Sequence, residues 1–330
     1  MKGSRRAGII AVPLVVLVVM GLAAPAFAAP RSRSRLTEFP LAAPGARPYQ
    51  ITAGPDGNLW FTESGTGSVG KITPDGTVTE YKIRKDSGPY GITVGPDGNI
   101  WFTERYPLGE FGDTYIAKLT TDGHLTEYRV PTPFAQPWDI TTGPDGALWF
   151  TEEDIDLIGR VTTDGAFTEY STQTCCYPTE ITSDGGFLWF TEEQGPAIVS
   201  MSTDGAVEVR SYPDRTDLAY AIATGSDGNV YSSDIIGPHV VRVSPGGVGE
   251  QKVRGSQTGV AGLSMGPDGR LWFTENDSSD VGAIDLSTGA TVRYLALPAD
   301  RRPIGITAGP DGNIWVCEAD GNRIARISLA

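Results

Sequence analysis

The stretch "RPYQITAGPDGNLWFTE", Arg47–Glu63, decides the fold, because close relatives of it return six more times along the 330 residues. Aligned on the aromatic residue of "LWFTE", the copies stand at Trp60, Trp101, Trp149, Trp189, Tyr231, Trp272 and Trp315. The intervals are 41, 48, 40, 42, 41 and 43 residues. Such a steady period marks a repeat architecture rather than two independent domains.

Each copy reads as four short strands. In the first, "YQITAG" leads into the turn Pro55-Asp56-Gly57-Asn58, followed by "LWFTE", a loop, "VGKIT", the Asp75-Gly76 turn and "TVTEYKI". Asp-Gly suits hairpins because the turn needs a positive φ, which glycine adopts without steric cost. Strands rich in Ile, Val, Thr, Trp and Phe complete the β pattern. Two hairpins per copy predict a four-stranded antiparallel blade, and seven blades in a ring predict an all-β, seven-bladed β-propeller over residues 35–330. The last copy stops after its third strand, "RIARISLA", while "RLTEFPL" (Arg35–Leu41) stands alone before the first copy. This N-terminal strand is therefore expected to close the last blade and leave no open edge.

Ahead of the repeats, Lys2, Arg5 and Arg6 precede an apolar run from Ala7 to Leu22, and Ala26-Phe27-Ala28 supplies a small-x-small cleavage pattern. Residues 1–28 read as a secretory signal peptide and 29–34 as a short tail. Loss of that leader takes three basic groups from a chain of net charge −14, leaving −17. So acidic a chain is a poor partner for nucleic acid or an anionic membrane, which need clustered Lys and Arg. It suits an exported, extracellular protein, expected as a monomer with no membrane association after cleavage. The three cysteines, Cys175, Cys176 and Cys317, are too few for a disulfide scaffold. The adjacent pair can form a vicinal disulfide or remain two thiols.

In a propeller the first strand of each blade lines the central channel. The residue after the proline of "RPY" faces the channel mouth, and through the copies it is Tyr49, Tyr90, Trp138, Thr179, Tyr220, Ala261 and Ile304. Tyr49, Tyr90, Trp138 and Tyr220 offer apolar area plus hydroxyl or indole hydrogen bonds, so they are candidate ligand-binding residues. They equally suit a plug. The insertion "RYPLGEFGDTY" (Arg105–Tyr115) brings more aromatics to that face as a wall, lid or plain surface loop.

The cassette P-[YH]-x-I-T-x-G-P-D-G-x-[IL]-W-F-T-E, followed by I-G-[KR]-I-T and T-E-Y, resembles the virginiamycin B (streptogramin B) lyase family over residues 35–330. The resemblance implies a propeller that linearises a cyclic depsipeptide antibiotic by a magnesium-assisted elimination at the ester bond. A base would remove the proton beside a carbonyl whose oxygen the metal polarises. The family's two histidines in the slot of the sixth and seventh blades fall here on Ala261 and Ile304, and a family glutamate falls on Arg302. A further family glutamate falls on Glu318 or Ala319, so Glu318 is a candidate catalytic residue.

Of the two histidines, His124 lies in the turn Asp122-Gly123-His124 and reads as solvated surface, whereas His239 starts a third strand on the mouth side and is a candidate base. The acids closing "WFTE" are Glu63, Glu104, Glu152, Glu192, Glu275 and Glu318, with Asp234 in the fifth copy. They can form a carboxylate ring for a hard cation, or salt bridges to the third-strand basic residues Lys71, Lys118, Arg160, Arg242 and Arg326. In the fourth and sixth copies the positions taken as facing Glu192 and Glu275 are Ser200 and Ala283, which makes these two acids the candidate ligands for a metal, magnesium by the resemblance, or for substrate. Three functions follow: a lyase with displaced catalytic groups, a non-catalytic propeller that binds a ligand or protein, and a metal-dependent lactone or ester hydrolase using Glu192, Glu275 or Glu318.

Overall fold

The computed structural model describes residues 35–84, 87–106, 112–173, 177–194, 197–211, 219–235, 239–244, 247–252 and 259–329. The leader, Cys175, Cys176 and residues 107–111 of the second-blade insertion lie outside them. Among the described residues there are seven four-stranded antiparallel sheets, one per repeat. Blade 1 runs Pro48–Ala53, Leu59–Glu63, Ser68–Ile72 and Val78–Lys82 from the axis outward. The first strands of blades 2 to 7 are Gly88–Val94, Pro137–Thr142, Pro178–Ser183, Ala219–Thr224, Val260–Met265 and Pro303–Ala308. As expected, Arg35–Pro40 pairs with Arg323–Ser328 and supplies the outermost strand of blade 7.

The recurrent cassette has a physical reason at each letter. The indole N–H of Trp60 donates to the Asp56 carboxylate at 3.1 Å, tying the second strand to the turn four residues back. Trp101, Trp149, Trp272 and Trp315 repeat the bond, and in blade 5 the Tyr231 hydroxyl takes it over with Asp227. A side chain on Gly54 would run into the Trp60 indole, which explains the glycine of "GPDG". The tyrosine of "TEY" stacks on the same indole, with 5.4 Å between the centroids of Trp60 and Tyr81, and Phe39 of the closing strand does so on Trp315 at 5.5 Å. Five of the tryptophans are fully buried between blades, each covering far more apolar surface than an aliphatic side chain.

The threonine of "WFTE" clasps neighbouring blades. Thr62 Oγ1 accepts from the Gln50 N–H of its own blade at 3.1 Å and donates to the Tyr90 carbonyl of the next at 2.7 Å. Thr103, Thr151, Thr191, Ser233 and Thr274 donate across the following seams in the same way. Blade 7 has buried Cys317 at this position, and a thiol is a weak donor. Cys317→Thr is therefore expected to stabilise the fold by about 1 kcal/mol, seen as a raised melting temperature; an unchanged or lowered one would show that the seam does not need the bond.

Candidate functional site

The ring brings slot residues from four blades into one cluster at the channel mouth. The Tyr49 and Tyr220 hydroxyls lie 2.8 Å apart although 171 residues separate them in the chain. Tyr49 and Tyr90 have centroids 4.5 Å apart, Tyr90 and Trp138 5.3 Å, and Trp138 and Tyr220 6.5 Å. Rings in such contact form one aromatic surface, and each of the four is only partly buried. Burial pushes both the Tyr49 and Tyr220 phenols up, each further raised by charge on Glu180, so neither serves as a base at neutral pH. Thr179 turns aside to bond Thr191, and Ala261 and Ile304 are buried small and apolar wall residues.

The next residue along each first strand carries the channel's chemistry, and no motif pointed to it. The position reads Gln50, Gly91, Asp139, Glu180, Ala221, Gly262 and Gly305. Gln50 Nε2 donates to both oxygens of Glu180, at 3.0 and 2.9 Å, bridging blades 1 and 4. Asp139 Oδ2 accepts the Ile181 N–H at 3.0 Å. Burial pushes Asp139 up to about 7, and burial followed by the Asp139 charge raises Glu180 further. Two carboxyls this close in an apolar wall do not both ionise near neutrality. A Cβ on Gly91 would lie 2.7 Å from Asp139 Oδ1, so the neighbouring glycine makes room for the acid. The channel cavity of about 330 Å³ is lined by this pair, Gln50, Ala261 and Ile304 among others. Reading the x of P-Y-x-I through the copies is the signal that finds it.

The acids of "WFTE" are buried in every blade, but their partners differ from the expected ones. Strand register sets Trp60 against Lys71, Trp101 against Lys118, Trp149 against Arg160 and Trp315 against Arg326. The basic groups lie over those indoles and reach the turn aspartates instead, Lys71 to Asp56 at 3.9 Å and Arg160 to Asp145 at 2.7 Å. By the same register Ser200 faces Trp189 and Ala283 faces Trp272. The reason for singling out Glu192 and Glu275 therefore falls away: the glutamate is three residues beyond the tryptophan, at the other end of the strand. Glu275 instead accepts from Ser278 at 2.9 Å. Glu192 and Glu275 end the second strands of blades 4 and 6, and among the described residues no group of three or more His, Cys, Asp or Glu is placed to hold a metal ion. Among the described residues the donor set does not assemble a magnesium site.

His239 sits on the third strand of blade 5, two strands out from the channel, with Nδ1 3.8 Å from Asp234 Oδ2. His124 is exposed beside Asp122. Glu318 is fully buried in blade 7, 3.1 Å from Arg301 Nε and 4.0 Å from Arg323 Nε; burial, then the Glu38 charge, pushes it up to about 8. His239, Glu318, Glu192 and Glu275 occupy four different blades, 5, 7, 4 and 6.

A second cavity, of about 430 Å³, opens at the mouth among blades 1, 2 and 3. Its wall is built by Arg105, the last residue of the strand Ile100–Arg105. The Arg105 guanidinium lies 4.9 Å from the Tyr90 ring centroid and 4.3 Å from that of Trp138. Its Nε donates to Gln136 Oε1 at 3.2 Å and its Nη2 pairs with Glu153. Burial pushes Glu153 up to about 7 even beside that cation. In the sequence Arg105 opens the insertion read as a wall, lid or surface loop; the approach of blades 2 and 3 is what buries it.

Comparison with known proteins follows the same lines. The sequence model of the virginiamycin B lyase family matches residues 26–107, 107–251 and 213–330. A solved streptogramin B lyase superposes with a TM-score of 0.82 at 30% identity, covering 90% of this chain and 98% of that one. A catalytically inactive histidine-to-alanine variant of virginiamycin B lyase from Staphylococcus aureus, solved with quinupristin, gives 0.82 at 31% identity over 90% and 99% of the two chains. The virginiamycin B lyase of Saccharopolyspora erythraea is 46% identical over 44 residues, which is 13% of this chain and 15% of that protein. The stretches matched in such curated relatives, 15% and 18% of two of them, span under a fifth of their length.

Proposed function

The chain belongs to the virginiamycin B lyase family, and from that premise we propose that it is an exported binding propeller, one that holds a ring-bearing cyclic peptide or depsipeptide at its channel mouth without opening it. The observation that carries this reading is the replacement of proton-transfer groups by a surface of rings. Where the resemblance puts histidines, Ala261 and Ile304 are buried wall residues. Tyr49, Tyr90, Trp138 and Tyr220 instead form a continuous aromatic floor. Elimination needs a base within hydrogen-bond reach of the acidic proton, and the candidate base His239 stands two strands from the channel. Glu318 is sealed beneath Arg301 and Arg323. The Staphylococcus aureus relative supports the separation of binding from chemistry: its inactive histidine-to-alanine variant was solved with quinupristin.

The test mixes purified protein, a streptogramin B-type depsipeptide and magnesium, followed by chromatography with mass detection and by tryptophan fluorescence. Saturable quenching with an antibiotic unchanged in mass and retention is the expected result. A new peak of unchanged mass that chelator abolishes would mean that the chain is a lyase. A gain of one water would mean hydrolysis. Absence of quenching would overturn the binding reading for this ligand class.

A further inference from the structure

We infer that Arg105 is the recognition group of a subsite for an uncharged acyl oxygen, an amide or lactone carbonyl carried next to a flat ring; the inference rests on the ligand-binding reading above. The cavity that holds it is lined by Thr66, Ser87, Tyr90, Trp138 and Glu153 as well as Arg105. The Arg105 side chain is only 5% exposed. Its Nε and Nη2 have partners in Gln136 and Glu153, but Nη1 has none among the described residues. A buried donor on a cation left unmatched is costly, and such groups in folded proteins are ordinarily satisfied by protein, water or ligand. The guanidinium rests against two rings that also touch each other and is anchored on two of its nitrogens, so its open edge has a fixed direction before anything binds. A group ordered in advance loses little entropy on binding.

Charge decides the class of ligand. Glu153 neutralises Arg105, and Asp154 adds a second carboxylate to the same wall. An anion entering the cavity therefore meets net negative charge, and a cation meets the guanidinium itself. A neutral acceptor oxygen takes the Nη1 donor without either penalty. Tyr90 and Trp138 line the same wall and offer ring surface to a flat group attached to that carbonyl.

The experiment titrates the full-length protein with N-acetyl-phenylalaninamide and with N-acetyl-phenylalanine, reading tryptophan fluorescence and ligand-observed NMR. The amide is expected to bind saturably, and the free acid at least about fivefold more weakly because of the like charge. Arg105→Met combined with Glu153→Gln removes both charges together, so no buried ion is stranded. That variant is expected to melt cooperatively and to bind the amide about tenfold more weakly or worse. Should it not fold, Arg105→Lys keeps the charge pair but lacks the planar fork, and the same loss is expected. The inference is overturned if the amide does not bind, if the acid binds as well as the amide, or if a folded variant binds the amide like the parent. Arg105-dependent amide binding beside a depsipeptide that does not bind leaves this subsite standing and removes only the depsipeptide reading.

Discussion

A chain begun at Ala42, without the Arg35–Pro40 strand and Leu41, is expected to lose cooperative melting and to elute largely as aggregate, while one begun at Arg35 keeps the full-length melting temperature. The strand supplies a six-residue ladder to Arg323–Ser328. Phe39 and Leu41 pack with Trp315 and Ile324, and Leu36 packs beside Ile327 and Ala325 on the other face. Side chains of this size are worth about 1.5–3 kcal/mol each when fully buried. Even discounted for the partial burial of Leu36 and Phe39, the loss is of the order of 5 kcal/mol, comparable with the whole stability of many domains. Glu38 also accepts from Arg301 Nε at 2.8 Å, and Asn322, with a left-handed φ of 52°, bonds Leu41 and Ala43 carbonyls and the Ala46 N–H. Removing residues 35–41 strips Glu38 from Arg301 and the Leu41 carbonyl from Asn322 at once and bares the edge of blade 7, a template for pairing with other chains. Static light scattering and calorimetry on the two chains decide it. A cooperative, monomeric melt within a few degrees of the parent would show that the ring does not depend on this closure.

The second large effect is on pH dependence. Glu152→Gln is expected to raise the melting temperature by several degrees at pH 8 and to change it little at pH 5. Both Glu152 oxygens are buried without a hydrogen-bond partner among the described residues. Burial, then the charge on Glu169, pushes the carboxyl up to about 9. A raised folded pKa means that the native state keeps a proton that the unfolded chain releases above its ordinary carboxylate range. The stability is therefore full below that range and falls as pH rises toward the folded value. Between pH 5 and pH 8 one such group costs of the order of 4 kcal/mol, and glutamine, which cannot ionise, costs nothing. Glu104 and Asp139, both raised to about 7, and Glu318, raised to about 8, act in the same direction. At the acid end the turn aspartates oppose them. Partial burial acts to raise Asp56, but hydrogen bonds from Asn58 and Trp60 outweigh it and hold the carboxyl low, so that contribution is lost as pH falls through its depressed value. Maximal stability is expected at mildly acidic pH. Equal gains from Glu152→Gln at pH 5 and pH 8 would show that its carboxyl is not held neutral.

The period, the Asp-Gly turns and the orphan strand at Arg35–Leu41 were legible because each is a local pattern: alternation within a strand, positive φ in a turn, one copy short of a strand at the chain's end. The occupants of the slot, Ala261 and Ile304 among them, were legible for the same reason, since they need only alignment of one copy with the next. What failed was register. Placing Glu192 opposite Ser200 treats the strand ends as adjacent to the middle of the next strand, whereas the hairpin loop sets Trp189 there. The acids that do face the axis, Asp139 and Glu180, sit one residue past the slot in copies that otherwise look unexceptional. Their meaning comes from Gln50, 130 residues away from Glu180.

By itself the sequence determined the number of blades, their four strands, the closing strand and the identity of every side chain at the slot, because these follow from short-range periodicity and turn chemistry. Only the tertiary structure decided that Tyr49 meets Tyr220, that Asp139 and Glu180 share the channel, and that Arg105 lies buried against Tyr90 and Trp138. Closing seven blades into a ring is what brings residues far apart in the chain within hydrogen-bond distance, and no local pattern encodes that distance.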